Sequence, residues 1–332
     1  MSSILVPILA VIIIGFTCGL LLAVASVVME VKVDPRISAV RECLPGANCG
    51  SCGYTGCDGY AKAVVETGAK TNLCVPGADT AAKAIAAVMG VEAKGLNELI
   101  RGLRGVGEMI VMAPDGPRSG ASGAITSEHP VRYYKVREEE DLTVYKCTGT
   151  PVDCVKLALH TVVPRRPDVV IGGINHGDNS SVNVHYSGTM GVVIEGCLKG
   201  ISSIGYSLCN HFADADFSSS LPYIRRITEQ VLEHGLPLGI CLNVNFPDTA
   251  SLKGVRICRQ TNGAWINEWK RSLHPRGGEY FWLTGEFDNY EPEAEDSDHW
   301  ALGHGYVAVT PTQIDVTAYG MMNELKNWNL EV

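Results

Sequence analysis

Five cysteines crowd into the stretch from Cys43 to Cys74, and four have the spacing of a metal-binding loop. They run Cys49-x2-Cys52-x4-Cys57, then Cys74 after sixteen intervening residues. Four thiolates are the number that a [4Fe–4S] cube requires. Gly46, Gly50, Gly53, Gly56 and Gly59 let the chain turn tightly and bring N–H groups close to the sulfurs. Structural zinc also takes four thiolates. Zinc sites usually pair two CxxC knuckles, however, whereas here one tight triplet meets one distant cysteine. The spacing favours iron–sulfur, with Cys43 as a spare. A second chemistry lies in three polar loops: Pro117–Gly123 (PRSGASG), Asn175–Ser181 (NHGDNSS) and Tyr186–Thr189 (YSGT). Small hydroxyls, amides and backbone N–H groups bind an anion without large basic side chains, and the third loop opens a helix whose N-terminus suits a phosphate. Any one such loop is more often an ordinary Asx or Ser/Thr cap. Three in one domain point to a phosphate pocket. His176 and His185 offer acid–base groups, although isolated histidines are more often supporting or surface residues.

These loops need a scaffold, and the pattern after Ala93 predicts one. Gly95–Leu103 reads as an amphipathic helix with Leu96, Leu99, Ile100 and Leu103 on one face. Met109–Met112 is a short apolar strand, and Val131–Val136 and Leu142–Cys147 are a strand pair around the acidic turn Glu138–Asp141. Asp153–Thr161 and Gly188–Gly200 read as helices. Asp168–Ile174, Ser203–Leu208, Ile240–Asn245, Val255–Arg259 and Tyr306–Thr310 read as strands. Strands alternating with helices mean an α/β sheet of largely parallel sense. In such sheets the functional loops lie at the carboxyl ends of strands.

The first thirty residues are of another kind. Ser2–Met29 carries no charge and Ile4–Val28 is almost wholly apolar, long enough as a helix to cross the ~30 Å hydrocarbon layer. A cleaved signal peptide is the competing reading, since Ala23-Val24-Ala25 resembles a cleavage site. The missing basic n-region and the length of the run favour an anchor. Lys32, Arg36 and Arg41 follow the span, which places the remainder in the cytoplasm. There disulfides are disfavoured, so Cys147, Cys154, Cys197, Cys209, Cys241 and Cys258 read as buried thiols. Lys+Arg 27 against Asp+Glu 36 gives a net charge of −9 over 332 residues. That excludes a general nucleic-acid binder.

The span together with CLPGANCGSCGYTGCDGYAKAV and GAKTNLCVPGADTAAKAIAAVMGVEA resembles the N-terminal part of the RnfB family, the iron–sulfur B component of the Rnf electron-transport complex, over about residues 1–93. The resemblance implies a single-pass protein of the bacterial inner membrane, a [4Fe–4S] cluster on Cys49, Cys52, Cys57 and Cys74, and electron transfer within a membrane complex. The two further C-x2-C-x2-C-x3-C-P motifs of that family do not occur.

MAPDGPRSGASGAIT, YKCTGTPVDCVKLAL, PDVVIGGINHGDN, VHYSGTMGVVIEGCLKGI and GYVAVTPTQIDVTAY together resemble the SurE (survival protein) 5'/3'-nucleotidase family, over about residues 90–332. This implies a Rossmann-like domain, a homo-oligomer made partly by an exchanged C-terminal arm, a divalent metal (magnesium or manganese), and hydrolysis of nucleoside monophosphates. By the same resemblance Ser119 and Asn175 match metal ligands, while Asn179, Ser187, Gly188 and Thr189 match phosphate- and substrate-contacting positions. The family opens with a strand ending in Asn-Asp-Asp-Gly. Here the helix-favouring run Thr80–Met89 stands in its place, with no aspartate between Asp79 and Asp115. The chain thus reads as two partial sequences joined near Met89–Lys94: an anchor (1–30), a 4Fe–4S module (31–89) and a nucleotidase-like domain (90–332) without its first strand. The expected activity is a nucleotidase impaired by the lost acidic pair. The alternative is a membrane iron–sulfur electron carrier with an inert passenger.

Overall fold

A computed structural model describes residues 15–16, 34–67, 69, 71, 73–89, 94–116, 118–212, 214–273 and 279–330. The predicted membrane span lies outside these residues except for Gly15 and Phe16. Among the described residues no helix is long and apolar enough to cross a membrane. The chain divides into two compact units, Met1–Lys70 and Thr71–Val332.

In the first unit, helix α1 (Pro35–Glu42) starts where the Asp34 carboxylate accepts the N–H of Arg36 at 2.9 Å, with proline in its first turn. Helix α2 (Cys57–Thr67) buries Cys57, Tyr60, Ala61 and Val64. That is an i, i+3, i+4, i+7 stripe. Between them the cysteine-bearing loop turns through Gly50 (φ +70°) and Gly53 (φ +85°), a region that glycine enters without steric cost.

The second unit begins with α3 (Ala78–Met89) and α4 (Lys94–Leu103), followed by β1 (Met109–Pro114), β2 (Tyr133–Glu139), β3 (Leu142–Cys147), α5 (Pro151–Thr161), β4 (Val169–His176), a 3-10 turn (Ser181–His185), α6 (Gly188–Leu198), β5 (Ser202–Leu208), α7 (Leu221–His234) and β6 (Ile240–Phe246). The strands β7 (Val255–Ile257), β8 (Gly263–Ile266), β9 (Trp269–Leu273), β10 (Glu279–Leu283) and β11 (Glu286–Asn289) come next, then α8 (Asp298–Gly303), β12 (Val307–Gln313) and α9 (Tyr319–Leu325).

The main sheet has the order β4-β5-β6-β12-β7 and a smaller one the order β1-β3-β2. β4, β5 and β6 are parallel, β12 runs antiparallel to β6, and β7 is parallel to β12. In the smaller sheet β1 is parallel to β3, from Met109 opposite Leu142 to Pro114 opposite Cys147, and β2 is antiparallel to β3 with a bulge between Lys135 and Arg137. β8 pairs with β11 and β9 with β10, both antiparallel. The main sheet is largely parallel, as expected from the sequence, with one antiparallel step between β6 and β12. The apolar run of β12 encodes burial but not direction, and the excursion through β7–β11 and α8 returns the chain from the opposite end.

The main core lies where β5 and β6 meet α4 and α7, with Leu99, Leu103, Ile204, Tyr206, Ile224 and Phe246 in one buried cluster. The Tyr206 hydroxyl donates to the carbonyl of Ile224 at 3.1 Å and lies 2.9 Å from the Thr228 hydroxyl. Burial pushes its phenol well above the usual value. Cys147, Cys154, Cys197, Cys241 and Cys258 are buried thiols. Burial, followed by the neighbouring Cys197, pushes Cys241 up to about 12. Burial raises Cys154, Cys197 and Cys258 as well, so these thiols stay protonated and act as small apolar groups.

Candidate functional site: a polar mouth at the strand ends

The loop after β1 is pinned from two directions. Helix α5 begins with a capping box. Thr150 Oγ1 accepts the Asp153 N–H at 3.1 Å, and Asp153 Oδ2 accepts the Thr150 N–H at 2.9 Å. The same carboxylate accepts the N–H of Thr126 at 3.1 and 3.2 Å, and the Thr150 hydroxyl donates to the carbonyl of Ala124 at 2.7 Å. Burial raises the Asp153 pKa, but the hydrogen bonds from Thr126 and Thr150 outweigh it and hold the carboxyl below its usual range. From the other side, Ser122 N–H donates to the Tyr186 carbonyl at 3.1 Å and Ser122 Oγ to the His185 carbonyl at 2.6 Å. Gly191 completes the joint. A Cβ there would lie 2.1 Å from the Ser122 carbonyl oxygen, so α6 sits directly on the loop.

The loop after β4 is held by amides. Asn179 is 3% exposed. Its N–H donates to Asn245 Oδ1 at 2.7 Å, its side-chain amide donates to Ser207 Oγ at 2.6 Å, and its carbonyl accepts from Asn243 Nδ2 at 2.7 Å. Asn245 donates in turn to Asn243 Oδ1 at 3.0 Å. The turn that follows is anchored by Asp298, 1% exposed, which accepts from the N–H groups of Ser181, Thr261 and His299 at 2.8–3.0 Å. Every partner of this buried carboxylate is a donor, as burial of an acid demands.

The residues chosen from the sequence fall into distinct places around these loops. Ser119, Asn175, Gly188 and Thr189 line one cavity of about 1090 Å³ that runs the length of β1 and β4. Asn175 Nδ2 donates to the Gly177 carbonyl at 2.8 Å and approaches Asn179 Oδ1 at 3.4 Å. Ser187 is the N-cap of α6, its hydroxyl accepting the Met190 N–H at 3.1 Å. That cap satisfies the third N–H of the helix, and a helix start leaves the first two, those of Gly188 and Thr189, for another acceptor. His176 lines the cavity, its Nδ1 lying 3.0 Å from the Phe212 carbonyl and its ring edge-on to Phe217. His185 is exposed, and its contribution is the carbonyl that holds Ser122.

Other groups at the mouth escaped the sequence reading. Arg118 lines the cavity and donates to Asp115 Oδ1 at 3.0 Å, and His211 lies against Gly177. The alternating Asn243 and Asn245 of CLNVNF were the available signal for the amide network, because two polar side chains on one face of a buried strand must find partners.

Neither expected metal centre is assembled as a full donor set. Among the described residues no three His, Cys, Asp or Glu side chains are grouped to hold a metal ion. Ser119 and Asn175 offer neutral oxygens, and hard divalent cations take carboxylates as well. The donor set present does not fit a firmly held dication. In the first unit Cys49 is exposed, Cys52 half-buried and Cys57 buried. The Cys57 N–H donates to Asn48 Oδ1 at 2.8 Å. Hydrogen bonds from the Ser51 hydroxyl and N–H hold the Cys49 thiol below its ordinary value. Cys74 belongs to the second unit and is buried. The glycine-rich turns suit a cluster loop, but three converging thiolates are not in place.

A predominantly parallel α/β domain with its polar loops gathered at the carboxyl ends of two strands defines a class of small-ligand site. Within that class the chain belongs to the SurE family. The family described as "Survival protein SurE" matches residues 89–267. The chain is 99% identical over 243 residues to the 5'-nucleotidase SurE of Phocaeicola vulgatus, covering 73% of this chain and 95% of that protein. It is 62% identical over 239 residues to the 5'-nucleotidase SurE of Bacteroides thetaiotaomicron, covering 72% and 92%. The crystal structure of SurE from Aquifex aeolicus is 32% identical with a TM-score of 0.62, covering 71% of this chain and 94% of that one. Residues 44–76 match a second family, described as "Putative Fe-S cluster". That match concerns a cluster motif; it carries no statement about an Rnf-type electron-transport complex.

Proposed function

We propose that residues 90–332 bind nucleoside 5'- and 3'-monophosphates and hydrolyse them as a SurE-type phosphoric monoester hydrolase, with turnover weakened by an incomplete cation site. The observation that carries this is the meeting of Ser119, Asn175, Gly188 and Thr189 in one cavity. The N–H groups of Gly188 and Thr189 and the Thr189 hydroxyl take the phosphate oxygens, with the α6 dipole behind them. Arg118, which lines the same cavity, adds the charge that small polar groups lack. Asn179 and Ser187 are positioning residues. The first fixes the Asn175 loop from inside, and the second shapes the helix start. Ser119 and Asn175 are the neutral oxygens facing a cation position for magnesium or manganese. As neutral ligands they do not hold such an ion firmly on their own.

The test separates binding from turnover. Calorimetry with a nucleoside monophosphate should show binding that Arg118→Ala and Thr189→Ala weaken about tenfold or more, the scale of one lost charge-assisted hydrogen bond. Phosphate release in manganese or magnesium should be slow at every metal concentration. No nucleotide binding would reject the assignment. Full turnover that disappears with Asn175→Ala would reject the incomplete cation site.

A second reading applies to the first unit and is favoured by the match over residues 44–76. Cys49, Cys52 and Cys57, with Cys74, are cysteines for a [4Fe–4S] cluster that passes electrons in a membrane-bound, Rnf-type complex. The charge-free run of residues 2–29 supports the membrane part by its length and composition, with the bulk of the chain on the cytoplasmic side of a bacterial inner membrane. Homo-oligomerisation through residues 90–332 belongs to the nucleotidase reading, and the division at residues 30 and 89 to both.

A further inference from the structure

The loop that leaves β5 carries an apolar ring into water beside the phosphate-binding groups. Phe212 is 59% exposed and lines the same cavity as Ser119, Asn175, Gly188 and Thr189. Single exposed apolar residues are ordinary on a protein surface, but this one sits on a backbone held at both of its polar groups. Its N–H donates to Asn210 Oδ1 at 2.8 Å, and the Asn210 side-chain amide donates to Asp248 Oδ2 at 2.9 Å. Its carbonyl accepts the Ala215 N–H at 3.1 Å and lies 3.0 Å from His176 Nδ1. The Gly177 N–H donates to the carbonyls of Leu208 and Asn210 at 2.8 and 3.1 Å. The His211 ring packs so closely there that a Cβ on Gly177 would lie 2.2 Å from its Cε1. The loop bearing Asn175 is thus tied to the loop after β1 through Ser122 and to the loop after β5 through Gly177 and His176. Two other rings that line the cavity are engaged with protein. Tyr145 meets Tyr133 edge-on at 5.7 Å, and His176 meets Phe217 at 5.0 Å. Among the described residues the Phe212 ring meets no other ring.

We propose that Phe212 is the stacking platform for the base of the bound nucleotide, and so the residue by which this site tells a nucleoside monophosphate from a sugar phosphate. The proposal rests on the nucleotide-binding reading and supplies the subsite it lacks. Arg118, Gly188 and Thr189 recognise a phosphate, a group that every phosphomonoester carries. A base differs from a sugar by its flat π-face, and an aromatic side chain takes up any base through that face. Sites for small molecules commonly combine a few placed polar groups with aromatic walls of this kind. A ring on a fixed backbone also loses less freedom when a ligand arrives than one on a mobile loop. The hydrogen bonds at the Phe212 N–H and carbonyl provide that fixity. His211, the neighbouring exposed ring, is packed on Gly177 and acts as support for the loop.

Calorimetry on the full chain compares adenosine 5'-monophosphate with ribose 5-phosphate, which has the same phosphate and sugar but no base. The nucleotide should bind about tenfold or more tightly than the sugar phosphate, the scale of one stacked base. Phe212→Ala should lower the nucleotide affinity to that of ribose 5-phosphate and leave the affinity for ribose 5-phosphate unchanged. Phe212→Trp, which keeps a ring at the same place, should preserve the gap between the two ligands. Thr189→Ala, which touches only the phosphate, should weaken both ligands alike. Equal affinity for the two ligands in the unaltered protein overturns the platform and leaves the phosphate cradle standing. So does a Phe212→Ala protein that binds both as before, or that loses both to the same degree. Binding of neither ligand removes the nucleotide reading itself, and the platform with it. A change of oligomeric state in Phe212→Ala, read by sedimentation, would place the ring in a contact between copies and also overturn the proposal. None of these readouts uses phosphate release.

Discussion

Asp153 shows how one side chain carries both stability and site geometry. Its carboxylate closes the α5 capping box and also takes the Thr126 N–H, so the loop bearing Arg118 and Ser119 hangs from it. Asp153→Asn should cost about 1–2 kcal/mol in urea unfolding at neutral pH, the range of a lost cap and a charge-assisted hydrogen bond. The sign of the pH dependence follows from the direction of the shift. The folded-state pKa lies below the usual carboxylate value, so the extra stability is complete above the unfolded pKa of about 4 and fades as pH falls through the folded one. The gap between the two proteins should therefore close in acid; a gap that stays constant to about pH 2 would remove the carboxylate from the account. The amide network behaves differently, because nothing in it titrates. Asn245→Ala would leave the Asn179 N–H buried without its partner at 2.7 Å, a loss of about 1–3 kcal/mol that should not change between pH 5 and 8.

At the scale of elements, the joint between α6 and the loop after β1 is set by the absence of a side chain. Gly191→Ala places a methyl 2.1 Å from the Ser122 carbonyl oxygen, and backbone cannot yield as a flexible side chain does. The variant should lose about 1–3 kcal/mol and bind nucleotide more weakly. Gly107→Ala, which meets nothing within 4 Å, should lose neither; a Gly191→Ala protein with unaltered melting and binding would separate the helix from the loop. The same elements show what could be read from sequence. β5, β6 and α4 announced themselves by apolar pattern, and α6 by its Ser-Gly-Thr opening. The apolar pattern starts α5 at Asp153, whereas Thr150 is its N-cap and Pro151 its first residue. α7 escaped although Ile224, Thr228 and Val231 form a buried stripe, because its charged opposite face masks the period. The strands β8–β11 are short and none of their described residues is fully buried, so little apolar pattern marks them. At the site, loop composition disclosed Asn175 and Thr189. The place of Asn179 inside a network depends on Ser207, Asn243 and Asn245. The alternation of the two asparagines shows that they need partners, but not that Asn179, from another strand's loop, is the one they find.

For the whole molecule, the separation of the chain into two compact units has a chemical counterpart. The residues assigned to nucleotide binding all fall between Arg118 and Phe212, in the second unit, whereas the cysteine triplet and its glycine turns fall in the first and the fourth cysteine, Cys74, falls in the second but outside that range. Chemistry at the triplet should therefore leave the phosphate cradle untouched. Anaerobic reconstitution of the full chain with iron and sulfide should produce the absorbance of thiolate–iron bands. Cys52→Ala should abolish those bands, since a cube requires four thiolates, while the affinity for a nucleoside monophosphate stays the same. Stoichiometric zinc in the purified protein, with no iron uptake, would instead assign the triplet to a structural knuckle. A fall in nucleotide affinity in Cys52→Ala would mean that the two chemistries are coupled. The phosphate cradle would then owe part of its geometry to residues outside its own loops.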